Sequence, residues 1–389
     1  MKILHLFSDW KWTGPAEPVL NLCKELEKRG HDVTLGYRKS PFPAEDSLEK
    51  RVLTEGVKAT DQFHLNHVLS FARPSSIWDS LQDFSDLRHY LCDKKFDILN
   101  VHQSHDHILG GAAARWIDHP TIVIRTDHKR DPLKSGAGNR LLISRLTDGM
   151  ITFSERARKE DSASLGLPLE RVARVGPALD LKRYDPGRKF RDMRGLLGIE
   201  PSEIVVGMVA RFQKYRRTEV FLEAVQALVK ECRNLKILLV GRSSQMEESV
   251  VQPVKRLGIE PWVVLGGYRT DDYLDTLACM DIFVFLMPGS DGTARALREA
   301  MAMGKPVVVA SRGILPELVE DGTSGFVVKD TPEALASATL QLILRPELRG
   351  AMGEAAYRKA HRDFRLDRQA EAVETFYREM IGLGKWKKR

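Results

Sequence analysis

The sequence predicts an α/β protein made of two doubly wound domains whose strand ends face each other across a cleft. A chain of 389 residues is longer than a single hydrophobic core usually supports, so two domains are expected. Short apolar runs alternate with amphipathic helical patterns twice along the chain, which is typical of parallel sheets covered by helices on both faces.

A linker by composition separates the two alternations. The stretch 180-DLKRYDPGRKFRDMRGLLGIEPS-202 is rich in charge, glycine and proline. We therefore expect an N-terminal domain over residues 1–183 and a C-terminal domain over 184–364. A last helical segment, 365–389, is expected to pack back on the first domain.

The first alternation opens with a strand at 2–7 and a helix at 17–30. In that helix Val19, Cys23 and Leu26 recur on one face, and Gly30 ends it as a C-cap. Further strands of the first domain are expected at 32–37, 97–102, 121–126 and 149–154. The second alternation predicts strands at 204–210, 235–241, 262–267, 281–287 and 305–310, and helices at 219–231, 246–257, 272–279, 293–303, 332–344, 346–360 and 366–381.

The composition narrows the class of protein. With 43% hydrophobic and 29% charged residues the chain is an ordinary globular protein, and it contains no apolar run of signal-peptide or membrane-span length, so we expect it in the cytoplasm. Its four scattered cysteines predict reduced core thiols rather than a disulfide framework or a zinc site. The net charge of +7 comes without a basic motif interleaved with aromatic residues, so nucleic acid is not an expected partner.

A basic loop, 211-RFQKYRR-217, follows the first strand of the C-terminal domain. At the carboxyl end of a strand, the guanidinium groups of Arg211 and Arg216 can hold a diphosphate in bidentate fashion. The alternative is a solvated basic loop. The chain has neither a P-loop nor a G-x-G-x-x-G motif, which disfavours a P-loop NTPase and a dinucleotide dehydrogenase.

The stretch 286-LMPGSDGTARALREAMAMGKPVVVA-310 predicts a strand end, a turn, a helix and a second strand. Gly292 and Thr293 lie at the expected helix start, where backbone amides and the helix dipole favour a phosphate. Asp291, just before them, can accept hydrogen bonds from sugar hydroxyls or simply cap the helix.

The same helix carries a carboxylate, Glu299, among apolar neighbours. A carboxylate in such a place needs hydrogen-bond donors. The two hydroxyls of a ribose would supply them, and so would a salt bridge to Arg295.

Three stretches together carry a resemblance to a known family. They are 10-WKWTGPAEPVLNLCKELEKRGHDV-33, 210-ARFQKYRRTEVFLEA-224 and 291-DGTARALREAMAMGKPVVVASRGILPELVEDGTSGFVV-328. The chain resembles the retaining glycosyltransferases of family 4, the "group 1" transferases, which have the GT-B fold of two Rossmann-like domains. The likeness spans nearly the whole chain, and the last stretch is its most specific part.

The resemblance implies roles for individual residues. Arg211 and Arg216 would bind the donor diphosphate, and Gly14 would approach it from the loop of the N-terminal domain. Gly292 and Thr293 would contact the sugar and the phosphate through backbone groups.

The resemblance also assigns the sugar and nucleoside ends of the donor. Glu299 would hold the ribose, Asp291 the sugar hydroxyls, and His128 would face the donor sugar. Gly267 and Tyr268 fall where the base meets backbone. The donor would be a UDP-, GDP- or ADP-sugar, with no metal or other cofactor.

The chain departs from the family pattern at three places. Asp291 stands where the family has a glutamate, and Arg216 stands where it has a lysine. Thr13 and Gly14, followed by Pro15, replace a Gly-Gly pair, which makes the first loop stiffer.

One competing motif, 102-HQSHDHILG-110, has three histidines and an aspartate, as a metal site would. The two-metal hydrolase pattern H-x-H-x-D-H needs its second histidine one residue before His105. In an extended segment His105 and His107 would also point apart. Contacts with sugar or acceptor fit this strand end better than a metal does.

The acceptor side is defined by fewer residues. Trp10, Trp12 and the basic segment 129–145 fit a glycan or lipid-linked acceptor, as in lipopolysaccharide synthesis, at the anionic inner face of a membrane. The alternative, which we favour, is that Leu141 and Ile143 are core residues of a short helix.

These features predict transfer of a sugar from a nucleoside diphosphate sugar to an acceptor hydroxyl, with retention at the anomeric carbon. The family implies a front-face route in which the leaving phosphate accepts the proton of the acceptor. Two alternatives stay open. A nucleotide-sugar epimerase of the same fold would need no acceptor, and a non-catalytic nucleotide-sugar-binding protein would turn nothing over.

Overall fold

A computed structural model describes residues 1–12, 14–42, 44, 47–65, 75–129, 131, 133–289 and 293–385 of the chain. The chain divides into two compact units. The N-terminal unit comprises Met1–Ala178 together with Leu366–Arg389, and the C-terminal unit comprises Leu179–Arg365.

The described part of the N-terminal unit is built on a seven-stranded sheet. Its strands are β1 (Lys2–Phe7), β2 (Asp32–Tyr37), β3 (Ala59–Thr60), β4 (Ile98–Val101), β5 (Ile122–Thr126), β6 (Gly149–Thr152) and β7 (Val172–Arg174). They are parallel throughout, in the order β3-β2-β1-β4-β5-β6-β7, so the strand order reverses between β1 and β4. In such sheets ligands bind at the carboxyl edge, at the point of reversal.

Helices cover this sheet. They are α1 (Ala16–Lys28), α2 (Leu48–Glu55), α3 (Ser75–Lys94), α4 (Ser104–Arg115), α5 (Ala137–Leu146) and α6 (Glu155–Leu165). In α1 the periodic residues Val19, Cys23 and Leu26 are buried, as their spacing predicts. In α5 Ile143 is buried but Leu141 is 61% exposed, so the expectation that both are core residues was wrong for Leu141.

The C-terminal unit forms a second parallel sheet, with six strands among its described residues. They are β8 (Ile204–Val209), β9 (Leu235–Val240), β10 (Val263–Gly267), β11 (Ile282–Phe285), β12 (Val307–Ala310) and β13 (Gly325–Val328). The strand order is β10-β9-β8-β11-β12-β13, so it reverses between β8 and β11. Both strands are almost wholly buried, as expected for a sheet with helices on each face.

The helices of the C-terminal unit follow their strands. They are α7 (Met193–Leu196), α8 (Thr218–Glu231), α9 (Gln252–Leu257), α10 (Tyr273–Ala278), α11 (Arg295–Ala302), α12 (Leu315–Leu318), α13 (Pro332–Leu344) and α14 (Pro346–Asp363). A π-helical turn, Glu247–Val251, leads into α9. Among the described helices none is both long and apolar enough to cross a membrane.

The last helix, α15 (Leu366–Leu383), returns to the N-terminal unit and packs on α1. Its residues Phe376, Tyr377 and Met380 are buried in the core that α1 shares with the sheet. The amide of Asn100 on β4 donates a hydrogen bond to the hydroxyl of Tyr377. This face of the sheet therefore carries polar contacts within an apolar core.

The four cysteines are free, but they are not all core thiols. Cys23 is buried, Cys232 and Cys279 are half-buried, and Cys92 is exposed. Cys92 lies near the end of α3, where its side chain faces outward, so the expectation of a core thiol was wrong there.

Candidate functional site

In the C-terminal unit the loops that follow β8 and β11 touch at the point of strand reversal. Arg216, in the loop after β8, donates from Nη1 to the carbonyl oxygen of Met287, two residues beyond β11, at 2.7 Å. A Cβ placed on Gly289 would lie 2.8 Å from Nη2 of Arg216, so the guanidinium lies directly against this backbone. The cation predicted from the sequence thus occupies the position where doubly wound sheets bind ligands.

The start of the loop after β8 is held in place by a buried side chain. Phe212 is fully buried in the core and fixes the chain just past β8. Its neighbour Arg211 is exposed at the carboxyl end of that strand. One arginine therefore contacts the opposite loop, whereas the other faces solvent.

Helix α11 begins at Arg295, two residues later than its predicted start. Ala294 has a φ of +51°, a left-handed conformation that the sequence does not signal for a non-glycine residue. Thr293 is buried, and its carbonyl accepts a 2.8 Å hydrogen bond from Nε of Arg298. The predicted site residues Asp291 and Gly292 lie outside the described residues.

Glu299 is held by three protein donors. Its Oε1 accepts from the hydroxyl of Tyr184 at 2.8 Å and from Nε of Arg295 at 2.7 Å. Its Oε2 accepts from the hydroxyl of Tyr273 at 2.5 Å. The residue is only 4% exposed, and the salt bridge to Arg295 considered from the sequence is present.

The three donors leave the carboxylate with acceptor capacity to spare. A carboxylate offers about four lone-pair positions, and donors among the described residues use three of them, so within that part of the chain Oε2 keeps one for a further donor. Removal from water and the charge of Glu299 raise the pKa of the Tyr273 hydroxyl well above its usual value. The same two causes raise the pKa of Tyr184. Both tyrosines therefore stay protonated and act as donors.

The ends of β9 and β10 form another part of this edge. Gly267 ends β10 with a φ of +70°, and its carbonyl accepts from the amide of Gly241 at 2.8 Å. Tyr268 is 57% exposed, and the Cζ atom of Arg242 lies 4.1 Å from its ring centroid. An exposed ring paired with a guanidinium offers a flat face beside open backbone.

In the N-terminal unit Gly14 and His128 lie at the carboxyl edge of the sheet. Gly14 is in the turn before α1, and His128 follows β5 and is buried. The Nε2 atom of His128 shares a 3.0 Å hydrogen bond with Nδ1 of His102. The ring of His128 also packs against Phe153, with 5.3 Å between the ring centroids.

The 102–110 stretch is helical rather than extended, because α4 begins at Ser104. Asp106 in its first turn accepts from the backbone amides of Ser8, His102 and Gln103, at 3.1, 3.2 and 2.9 Å. This carboxylate thereby ties together the ends of β1 and β4. No group of three or more histidine, cysteine, aspartate or glutamate residues in the described ranges could hold a metal ion.

Comparison with known proteins decides the class. Residues 13–183 match the family described as Glycosyltransferase Family 4, and residues 203–345 match the family described as Glycosyl transferases group 1. The N-acetyl-alpha-D-glucosaminyl L-malate synthase of Bacillus anthracis is 26% identical over 370 residues, which cover 92% of each chain. The protein is a glycosyltransferase.

A second relative agrees with this assignment, and two solved structures share the fold. The D-inositol 3-phosphate glycosyltransferase of Saccharomonospora viridis is 31% identical over 221 residues, or 54% of this chain and 50% of that protein. A glycosyltransferase from Rickettsia africae superposes with a TM-score of 0.82 at 16% identity, covering 98% of both chains. Anabaena Alr3699/HepE in complex with UDP superposes with a TM-score of 0.78 at 19% identity, covering 96% of this chain and 99% of that one. The fold is that of GT-B glycosyltransferases.

Three side chains of the candidate site were missed from the sequence. Tyr184 lies 115 residues from Glu299 and Tyr273 lies 26 residues from it, so no local spacing connects them. Among the described residues Arg298 is the largest fully buried side chain, and it donates a hydrogen bond to the carbonyl of Thr293. The sequence contained one indication that Arg298 is buried, which is its position among the apolar residues Leu297, Ala300 and Met301.

Proposed function

We propose that the glycosyltransferase moves a sugar from a nucleoside diphosphate sugar to an acceptor hydroxyl, with retention at the anomeric carbon. The contact of Arg216 with the carbonyl of Met287 carries the proposal, because it brings a cation to the switch point of the C-terminal unit. Support also comes from Anabaena Alr3699/HepE, whose structures were solved with UDP and with UDP-glucose.

In this proposal the C-terminal unit binds the donor diphosphate. Arg211 and Arg216 pair with its oxygens, and the backbone at Gly292 and Thr293 adds amide donors. Negative charge grows on the diphosphate as the glycosidic bond breaks, so these groups bind the transition state more strongly than the ground state. The leaving phosphate accepts the proton of the attacking hydroxyl on the front face, which gives retention.

The remaining residues position the two ends of the donor. The spare acceptor position on Oε2 of Glu299 receives a ribose hydroxyl, while Tyr273 and Tyr184 keep the carboxylate in place. Asp291 and His128 contact the sugar hydroxyls. Gly14 approaches the diphosphate, and Gly267 and Tyr268 take the base.

The proposed mechanism needs no metal, because guanidinium groups and amides neutralise the diphosphate. Transfer should therefore persist in excess EDTA with unchanged kcat and KM. Loss of activity that returns with Mg²⁺ or Mn²⁺ would contradict this part of the proposal.

We assign the acceptor to a glycan or lipid-linked molecule of the cell surface. Helix α5 supports contact with an anionic membrane, since Arg140, Leu141 and Arg145 are all exposed on it. Vesicles containing anionic lipid should sediment the wild-type protein and should sediment less of a Leu141→Asp variant. Equal binding to neutral vesicles, or equal binding by the variant, would count against this acceptor class.

The test of the activity starts from the donor. UDP-, GDP- and ADP-sugars are incubated with the protein and a panel of acceptors, and the product's anomeric configuration is read by NMR. The proposal expects a product with the anomeric configuration of the donor. Inversion would contradict the route, and isomerised donor formed without acceptor would identify an epimerase.

A further inference from the structure

Helix α11 carries a buried arginine one turn from its start. Arg298 is 1% exposed, and its Cζ atom lies 6.0 Å from the ring centroid of Phe364, the residue after α14. A buried guanidinium costs free energy unless hydrogen bonds compensate for its lost hydration. The groups that this residue holds therefore indicate what it does.

Arg298 holds the two carbonyl groups that precede the helix. Its side-chain Nε donates to the carbonyl oxygen of Thr293 at 2.8 Å. Its backbone amide donates to the carbonyl oxygen of Ala294 at 3.3 Å. Both carbonyls therefore point toward the same buried residue.

The direction of these carbonyls determines the direction of two amides. In a trans peptide the C=O and N–H bonds point in opposite directions, and no described peptide is cis. The N–H group of Ala294 shares a peptide with the carbonyl of Thr293, so it points away from Arg298. The N–H group of Arg295 shares a peptide with the carbonyl of Ala294, and it points away in the same manner.

The backbone conformation brings these two amides to one side. Ala294 has a φ of +51° and a ψ of +50°, in the left-handed region, whereas Arg295 is the first residue of the right-handed helix. Successive residues of opposite hand turn their N–H groups into one concavity, an arrangement that binds anions. The positive end of the α11 dipole favours an anion at the same place.

The amide of Ala294 has a further property of a ligand site. Among the described residues none accepts a hydrogen bond from it, although Ala294 is only 2% exposed. Buried N–H groups without an acceptor are rare in proteins. An alanine in the left-handed region is also strained, and such strain is concentrated where ligands bind.

We propose that Arg298 is a positioning residue that turns the amides of Ala294 and Arg295 toward the donor diphosphate. Oxygens of the diphosphate accept hydrogen bonds from both amides, which add to those expected at Gly292 and Thr293. This inference deepens the proposed function and rests on it for the identity of the anion.

The sequence provides a selective probe of this turn. Thr293–Ala294 is the one place in the chain where alanine follows threonine. Deuterated protein with ¹³C in the threonine carbonyls and ¹⁵N in the alanine amides therefore gives a single signal in a carbonyl-edited ¹H–¹⁵N spectrum. That signal reports the amide of Ala294 and the carbonyl of Thr293 together.

The first measurement is a titration of the labelled wild type with UDP, GDP and ADP. The nucleotide that binds should move the amide proton of Ala294 downfield, because a phosphate oxygen accepts a charge-assisted hydrogen bond from it. The corresponding free nucleoside should leave this proton in place. A diphosphate that binds without moving the signal, or a nucleoside that moves it equally, would overturn the proposal.

A variant tests whether Arg298 positions the turn. Arg298→Met removes the Nε donor and keeps most of the side-chain volume. We expect the Thr293 carbonyl signal to move upfield, the response of the Ala294 amide to shrink, and nucleoside diphosphate affinity to fall about tenfold. Arg298→Lys keeps a cationic donor and should recover part of that affinity. If Arg298→Met binds as tightly as the wild type with the same amide response, Arg298 does not position the amides.

Arg349→Met is the matched control. Nη1 of Arg349 donates to the carbonyl oxygens of Leu342 and Ile343 in the last turn of α13, so this variant also loses an arginine that holds two carbonyls. It should bind the diphosphate as the wild type does. Equal losses in both variants would assign the effect to general destabilisation and overturn the positioning role. If Arg298→Met does not fold, the wild-type titration alone decides.

This inference and the proposed function fail separately. An amide response to the diphosphate in a protein that transfers no sugar would leave the inference intact and refute the proposed function. Sugar transfer by a protein whose Ala294 amide does not respond would do the reverse. If no nucleoside diphosphate binds, both are wrong.

Discussion

Tyr273 donates its hydroxyl hydrogen to Oε2 of Glu299 at 2.5 Å, and so orients the carboxylate that we assign to the donor ribose. Tyr184 does the same for Oε1 at 2.8 Å. A carboxylate that is 4% exposed would otherwise be left short of donors. The tyrosine pair therefore keeps a buried charge both stable and correctly aimed.

The first prediction concerns this pair. Tyr273→Phe removes one donor to Glu299, so we expect nucleoside diphosphate affinity to fall about tenfold and unfolding free energy to fall by about 1–3 kcal/mol. Isothermal titration and urea unfolding measure the two effects. Tyr357→Phe, on α14, is the matched control and should change neither. Unaltered affinity in Tyr273→Phe would separate Glu299 from donor binding.

The second prediction uses the close approach of Gly289 and Arg216. An alanine methyl at position 289 would lie 2.8 Å from Nη2, at the flexible end of the arginine, so the guanidinium should move rather than the backbone. We expect Gly289→Ala to weaken nucleotide binding about tenfold while stability changes by less than about 1 kcal/mol. Gly350→Ala, where nothing lies within 4 Å, is the control. Full affinity in Gly289→Ala would show that the guanidinium position does not matter.

The third prediction concerns the edge where β8 and β9 end. Gly241 has a φ of +143°, and a Cβ there would lie 1.8 Å from the carbonyl oxygen of Ala210. Gly241→Ala should therefore lower the unfolding free energy by about 3 kcal/mol or more, from strain and overlap together. Gly267→Ala, at φ +70° with open space around it, should lower it by only about 1 kcal/mol. If urea unfolding showed that Gly241→Ala and Gly267→Ala lower the unfolding free energy by similar amounts, this geometry would be contradicted.

The fourth prediction concerns pH. Burial raises the pKa of Asp161 to about 7, although its Oδ1 accepts a 2.8 Å bond from the amide of Leu133. In the unfolded chain an aspartate ionises near pH 4. Between about pH 4 and pH 7 the unfolded state loses this proton while the folded state keeps it, so stability falls as pH rises.

Asp161→Asn removes this titration and keeps an acceptor for Leu133. Relative to the variant, the wild type should lose about 3 kcal/mol of unfolding free energy between pH 4 and pH 7. Urea unfolding at several pH values measures the difference. Asp118→Asn, at an exposed aspartate, should track the wild type. Parallel curves for wild type and Asp161→Asn would refute the raised pKa.

Much of the fold was readable from local pattern. The run predicted as a strand at 204–210 is β8, Ile204–Val209, because a continuous apolar run flanked by turn residues fits a strand buried on both faces. The sequence did not show which face of α5 packs against the core. In so short a helix Leu141 and Ile143 suit either face, and only packing shows that Leu141 points outward.

The candidate site was only partly readable. A basic loop after a strand end indicated Arg216, because the carboxyl edge of a parallel sheet collects ligand-binding residues. A carboxylate among the apolar residues of a helix indicated Glu299, because such a group needs hydrogen-bond donors. The sequence did not indicate the left-handed Ala294 that delays the start of α11, since alanine rarely adopts that conformation. Nor did it indicate the hydrogen bond between His102 and His128, which depends on the register of β4 and β5.

Binding of nucleoside diphosphates is the most direct test of the donor site. Isothermal titration of the full chain with UDP, GDP and ADP should show one nucleotide that binds at a single site. Arg216→Ala should weaken that binding about 10–100-fold, as expected for loss of a charge-assisted contact, and Arg211→Ala should weaken it as well. Cys232→Ala should leave it unchanged. If no nucleoside diphosphate binds, or if Arg216→Ala binds as tightly as the wild type, the proposed donor site is wrong.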